Sequence, residues 1–414
     1  MGNRKHWGIF IDNRSDKAGF IDTLLEGRPE TSYFEELSGL KGALFSKLAL
    51  HRFIDEEERH DTKIITSNTP QSLKSMSSGE QKKALLRHLL QVKPDFLILD
   101  NPFDNLDVAS QSNLANLLND ISQNTTIVQL ISRKIDLLPF VTNLITLEGK
   151  KLVVDQITVE KGSEEETVFF EGSIPLPLHP FDYDSDVLID LRNVSVSYGD
   201  KPILQNINWE IKPGQFWQLV GKNGSGKTTL LSMVTGENSK GYGQDLYIFD
   251  VKKGSGESIW DIKKKIGYFT PAMTDKFSGH HTVENMLISG VHDSVGLYVK
   301  PTDAEFRLAK DWLLLIGMWE LRNTYFHDLS MGQQRLVMTT RAMIKHPLLL
   351  ILDEPTAGLD DHSAALFVAL TNKIAQESKT AIIFVSHRQE KGLTPNFIYD
   401  LHMTDKGSVG KVRN

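Results

Sequence analysis

Eight residues, Gly221-Lys222-Asn223-Gly224-Ser225-Gly226-Lys227-Thr228, have the types and spacing needed to grip a chain of phosphates. Gly221, Gly224 and Gly226 let backbone N–H groups curl around anionic oxygens in conformations that a Cβ would obstruct. A helix opening at this point aims its positive end at the same anion. Asn223, Ser225 and Thr229 belong to the cradle, Lys227 reaches for the β- and γ-phosphates, and Thr228 offers a hydroxyl to Mg²⁺. The chemistry implied is binding of a nucleoside triphosphate with magnesium.

A second group lies far downstream. Asp353 ends the apolar run "LLLILD", where a strand-end carboxylate can hold magnesium, usually through water. Glu354 beside it can orient and polarise an attacking water, and positioning with charge stabilisation supplies most of the catalysis in phosphoryl transfer. His387 ends a further apolar run and can meet the γ-phosphate; Tyr198, 29 residues before Lys227, can stack on adenine. Alone, each has a plainer reading as a helix cap, turn or packing residue. Together, in chain order after a complete phosphate loop, they read as one site.

The elements that must carry these residues occur twice. "LILDNPFDNLD" (Leu97 to Asp107) matches "LILDEPTAGLD" (Leu350 to Asp360), so Asn101 stands where Glu354 does. Gly79 precedes Asp100 by 21 residues, as Gly332 precedes Asp353. Arg133 follows Asp100 by 33, and His387 follows Asp353 by 34. "WGIFIDNRSDKAGFI" from Trp7 aligns without gaps to "WQLVGKNGSGKTTLL" from Trp217. Such ordered self-similarity marks an internal duplication. The first copy is shorter between its loop and its Gly79 segment, by about 43 residues on the count of positions. It is also decayed: the loop glycines become Ile11, Arg14 and Asp16, the threonines become Ala18 and Gly19, and only Lys17 survives. Asp16 sets a negative charge against phosphate, a repulsion of about 4 kcal/mol at ~4 Å and intermediate dielectric. Each copy is expected to contain a strand, a loop opening a helix, a helical insert and then fully apolar strands, which are typical of a parallel sheet covered on both faces. The acid run and prolines before Asp186 read as a linker; about 25 flexible residues reach ~27 Å.

Composition narrows the rest. The chain has 414 residues, a net charge of −7 and no cysteine, which excludes disulfides and cysteine-held metal sites. The acidic balance argues against a nucleic-acid partner. No apolar run approaches the roughly 18–20 residues of a membrane helix, and the start does not read as a secretory signal, so a cytoplasmic location is expected, with any approach to the inner face of the membrane made through a partner.

Tyr198, the phosphate loop, "LSMGQ", "LLILDEP", "AGLD" and "SHR" together resemble an ATP-binding cassette (ABC) ATPase over residues 187–414. Residues 1–158 resemble a truncated, degenerate cassette, with 159–186 as linker. The stretch Ser289 to Leu313 is similar to the twin-cassette branch that includes molybdate-associated and photorepair proteins. The resemblance implies an α/β fold with two P-loop cassettes in tandem. It also implies ATP and Mg²⁺ as ligands and pairing of cassettes head to tail, within one chain or between two. In that arrangement Lys227, Thr228, Asp353, Glu354 and His387 act on nucleotide touched by Ser77 and Gly79 of the other copy. One departure stands out: Pro271 takes the place expected of a metal-touching glutamine. The leading expectation is an ATPase with one hydrolytic site whose turnover drives closure. The alternatives are the energising subunit of a membrane transporter and a low-turnover ATP-dependent scaffold, each with an unidentified membrane or other client, and a ribosome-acting twin cassette, against which the lack of a long charged helical linker and of a second competent site counts.

Overall fold

The computed structural model describes residues 4–28, 32–60, 63–66, 71–153, 169–277, 279–387 and 390–413. Two compact units emerge: residues 1–166 with 358–361, and residues 167–357 with 362–414.

In the first unit the strands are β1 (Trp7–Ile11), β2 (Gly42–Phe45), β3 (Phe96–Asp100), β4 (Thr126–Ile131), β5 (Asn143–Glu148) and β6 (Lys151–Val153), in sheet order β2-β3-β4-β1-β5-β6. All pairs are parallel except the closing β5–β6 pair. "FLILD" explains the centre of this sheet: Phe96, Leu97, Ile98 and Leu99 are all fully buried, as a parallel strand with both faces covered requires. The helices are α1 (Lys17–Leu25), α2 (Lys47–His60), α3 (Ser78–Gln91) and α4 (Val108–Ser122).

The second unit repeats that sheet. β9 (Phe216–Gly221), β12 (Ile266–Phe269), β13 (Leu349–Asp353), β14 (Ala381–Val385), β15 (Phe397–His402) and β16 (Val409–Arg413) run in the order β12-β13-β14-β9-β15-β16, again with an antiparallel last pair. It adds a four-stranded antiparallel sheet of β7 (Ile189–Tyr198), β8 (Lys201–Ile211), β10 (Asp245–Ile248) and β11 (Val251–Lys252). Its helices are α5 (Lys227–Val234), α6 (Ile259–Lys264), α7 (Val283–Val291), α8 (Asp303–Leu315), α9 (Met331–Met343) and α10 (Asp361–Glu377). Trp209 of β8 stacks on Tyr399 of β15 with centroids 4.5 Å apart and meets Trp217 of β9 edge-on at 5.6 Å, joining the two sheets of this unit. The middle that the first copy lacks thus corresponds to β10, β11, α6, α7 and α8, against which it offers α2.

The duplication reaches into backbone detail. Lys93 and His346, Asn101 and Glu354, and Asn105 and Gly358 all take positive φ at matching positions. The stretch expected as a flexible tether is, over its described part 169–186, held to the second unit: Ile174 N donates to Glu377 Oε2 at 2.9 Å, and His346 Nε2 donates to the Pro175 carbonyl at 2.7 Å. Its first residues and the expected boundary at 158/159 lie outside the described residues. Among the described residues no helix is long and apolar enough to cross a membrane.

Candidate functional site

β9 runs straight into the glycine loop, and α5 begins at Lys227. Gly226 is the N-cap of α5, at φ +90° and with no side chain to cap it, so the first N–H groups of the helix are left to an external acceptor. A Cβ on Gly226 would meet Leu204 Cδ2 at 2.8 Å and Ile203 Cγ2 at 2.9 Å; one on Gly221 would meet Ser225 Oγ at 2.6 Å. The loop can therefore hold this curve only with glycine at both places.

The loop opens on a cavity of about 440 Å³. Asn223, Gly224, Gly226, Lys227, Thr228 and Thr229 line it together with Asp353 and Glu354 from the end of β13, so residues more than a hundred positions apart in sequence share one wall. Lys201 and Ile203 from the start of β8 line it too. Sequence reasoning missed this pair: the β7–β8 turn sets Lys201 opposite Tyr198, a pairing that no spacing in the sequence announces. Tyr198, half exposed, accepts a hydrogen bond from Asn238 Nδ2 at 3.0 Å, which fixes its ring. Asn238 was likewise not foreseen.

Lys227 Nζ donates to the Gly221 carbonyl at 2.7 Å. Burial, and after it the charge of Glu354, push the Asp353 carboxyl up, while the Tyr268 hydroxyl, which donates to its Oδ2 at 3.3 Å, works the other way. Glu354 adopts φ +50°, a left-handed conformation that costs a glutamate something, and its side chain meets His387 Nδ1 at 2.7 Å. His387 Nε2 and Ser225 Oγ are both buried with no partner among the described residues. Ser225 belongs to the glycine loop and His387 touches the cavity-lining Glu354, so both orphaned atoms adjoin the cradle that a polyphosphate would fill, though neither residue lines it. Thr228 and Asp353 line the same cavity and offer only oxygen, the donor set a magnesium ion takes when phosphates and water complete its shell. When bound there, the ion neutralises phosphate charge. Pro271 opens a 3-10 turn, Pro271–Lys276, straight after β12, and adds no side-chain donor.

The first unit puts its counterparts to other use. Asp16, at the N-cap of α1, accepts from Gly19 N at 3.1 Å, so the chain's own carboxylate sits where an anion would be welcomed. Lys17 Nζ contacts both oxygens of Asp100, at 3.1 and 3.0 Å. Asn101 Oδ1 accepts from Ser132 N and Oγ, each at 3.0 Å. Its Gly79 segment is nevertheless well formed. Ser77 caps α3 in a reciprocal box with Glu80, as Ser330 caps α9 in a box with Gln333.

Comparison with known proteins gives concordant findings. The ABC transporter family model matches residues 204–357. The chain is 39% identical over 344 residues to the ABC transporter ATP-binding protein ModF of Escherichia coli (strain K12), spanning 79% of this chain and 69% of that protein. It is 31% identical over 334 residues to the uncharacterised ABC transporter ATP-binding protein C323.04 of Schizosaccharomyces pombe, spanning 78% of this chain and 67% of the other. Among solved structures, one described as a model of ribosome-bound archaeal Pelota and ABCE1 covers 98% of this chain and 74% of its own, with TM-score 0.64 and 15% identity. The RNase-L inhibitor covers 98% and 85%, with TM-score 0.61 and 15% identity. At that identity both speak for the fold alone, and that fold extends over both units.

Proposed function

The chain belongs to the ATP-binding cassette (ABC) ATPases, and on that premise we propose that it hydrolyses ATP at one composite site, the second cassette supplying the phosphate loop and water-activating acid and the first supplying Ser77 and Gly79. The contrast between the copies carries this reading. In the second, an uncapped glycine loop, Lys227, Thr228, Asp353 and Glu354 share one cavity. In the first, Asp16 caps its own helix and Lys17 closes on Asp100. A cassette whose residues at the phosphate-binding positions pair within the chain has kept its signature serine in the same capped geometry as the intact copy. In a head-to-tail pair that serine serves the other cassette's nucleotide.

In this reading Gly221, Asn223, Gly224, Ser225, Gly226 and Thr229 wrap the phosphates, and Lys227 leaves the Gly221 carbonyl to meet their charge. Tyr198 stacks on the base, held by Asn238. Thr228 and Asp353 hold Mg²⁺. Glu354 orients the attacking water, and His387, with Nδ1 engaged by Glu354, presents Nε2 to the γ-phosphate. Residues 1–158 form the degenerate cassette, 187–414 the complete one and 159–186 the link between them. Turnover drives closure of the pair.

The test is steady-state phosphate release. Glu354→Gln is expected to lower it by at least about 100-fold, the usual worth of a positioned general base, with ATP binding retained; Asn101→Ala is expected to leave it within about twofold. Equal losses from the two substitutions would refute a single hydrolytic site.

A further inference from the structure

We propose that Tyr268 is a positioning residue for the metal-holding carboxylate: its hydroxyl fixes Oδ2 of Asp353 and leaves Oδ1 to the cavity. The proposal rests on the ATPase reading of this site and adds a residue that reading does not contain.

β12 lies parallel beside β13 with Tyr268 opposite Ile351, two positions before Asp353. From there the phenol reaches forward along the neighbouring strand, and its O–H donates to Asp353 Oδ2 at 3.3 Å. Tyr268 is half-buried, while Phe269 beside it is fully buried in the core, so the strand anchors the ring next to the site. A carboxylate at a strand end has a free rotation about its last bond. A hydrogen bond from a packed ring, long here at 3.3 Å, biases that rotation toward one orientation.

The first copy provides an internal control. β2 lies beside β3 in the same register, with Leu44 opposite Ile98, so Leu44 holds the position of Tyr268. The carboxylate it adjoins, Asp100, is gripped through both oxygens by Lys17. The donor types matter. An ammonium bound to both oxygens competes with a cation for the carboxylate, whereas a neutral hydroxyl orients the group and leaves its charge intact for a cation. The hydroxyl therefore occurs in the copy whose carboxylate faces an open phosphate cavity, and an aliphatic side chain in the copy whose carboxylate is already neutralised.

The test uses the full chain carrying Glu354→Gln, with ATP present, and follows Mn²⁺ binding by electron paramagnetic resonance. Adding Tyr268→Phe removes only the hydroxyl. The expected result is about tenfold weaker Mn²⁺ binding, the lower end for loss of a group that orients a metal ligand, with ATP affinity in EDTA and thermal melting unchanged. Tyr268→Leu, which copies the first cassette, is expected to weaken Mn²⁺ binding as much while also lowering the melting temperature. Unchanged Mn²⁺ affinity in Tyr268→Phe would overturn the proposal. So would a parallel loss of metal-free ATP binding and of melting temperature, which would mark a general packing role. If the parent Glu354→Gln protein shows no ATP-dependent Mn²⁺ binding, the ATPase reading of the site itself fails, and the assignment of Tyr268 with it.

Discussion

After a buried strand in each cassette the chain makes a left-handed turn, and the residue that occupies it differs between the two copies. Both copies make it, Asn101 at φ +43° and Glu354 at φ +50°. Asparagine tolerates that conformation; glutamate does so at a cost of about 1–3 kcal/mol, typical of strain kept at functional positions. The first copy holds the residue suited to its backbone and satisfies it with Ser132. Asn101→Glu is therefore expected to destabilise the protein by about 1–3 kcal/mol through regained strain and lost hydrogen bonds. It should restore no second activity, because Asp16 and the Lys17–Asp100 pair still fill the phosphate position. Denaturant melts and phosphate release check the two halves of that statement. The substitution at 101 was legible in the sequence as one altered letter in a repeated segment. The work of Tyr268 was not: it sits in "IGYFTPAM", where the unusual Pro271 draws attention, and its partner Asp353 is 85 positions away. Only the register of two parallel strands brings them together.

Elements show the same division between pattern and contact. Strand runs such as "FLILD" and "LLILD" announced buried parallel strands, because four successive apolar residues need both faces covered. The linker was legible as composition only. Its prolines and acids suggested a free tether, yet Ile174 and Pro175 are fastened by Glu377 and His346 through one backbone N–H and one carbonyl, groups every residue possesses and no pattern singles out. Burial of His346, rather than its bond to Pro175, is expected to make the second unit sensitive to acid. Burial holds the His346 imidazole below its ordinary value of 6.5, against a smaller opposite effect of the Pro175 carbonyl. The folded protein thus binds fewer protons there than the unfolded chain. The stability it contributes is whole above pH 6.5 and is lost as pH falls from there through the lowered folded value. His346→Asn, which also suits the left-handed backbone at this position, is expected to lose less melting temperature than the parent between pH 7.5 and pH 5.5. Identical losses would show that His346 is not a source of that sensitivity.

At the scale of the whole molecule, duplication is the governing fact. The matching sheet orders and matching positive-φ positions confirm what the self-alignment implied. Motif spacing was enough to reveal it, since each conserved segment answers to its own local chemistry. What the sequence left open was the consequence of decay. The lost glycines said that the first loop fits phosphate poorly; the structure adds that its charged groups engage the chain itself, Lys17 with Asp100 and Asp16 with the start of its own helix.

If the first cassette's signature completes the second cassette's site, the two signature serines must respond unequally to one and the same change. Ser77 and Ser330 are both N-caps within reciprocal capping boxes, but Ser77 Oγ donates to the Glu80 carboxylate at 2.7 Å where Ser330 is boxed with the neutral Gln333, so Ser77→Asp is made together with Glu80→Gln to match the structural cost of the two changes. Aspartate preserves the cap and sets a negative charge where a γ-phosphate would lie. Steady-state ATP hydrolysis by Ser77→Asp is expected to fall by at least about 100-fold, matching loss of a key electrostatic contact, while Ser330→Asp stays within about threefold of the parent. Loss of hydrolysis in Ser330→Asp with Ser77→Asp spared would contradict the account and assign the working site to paired second cassettes.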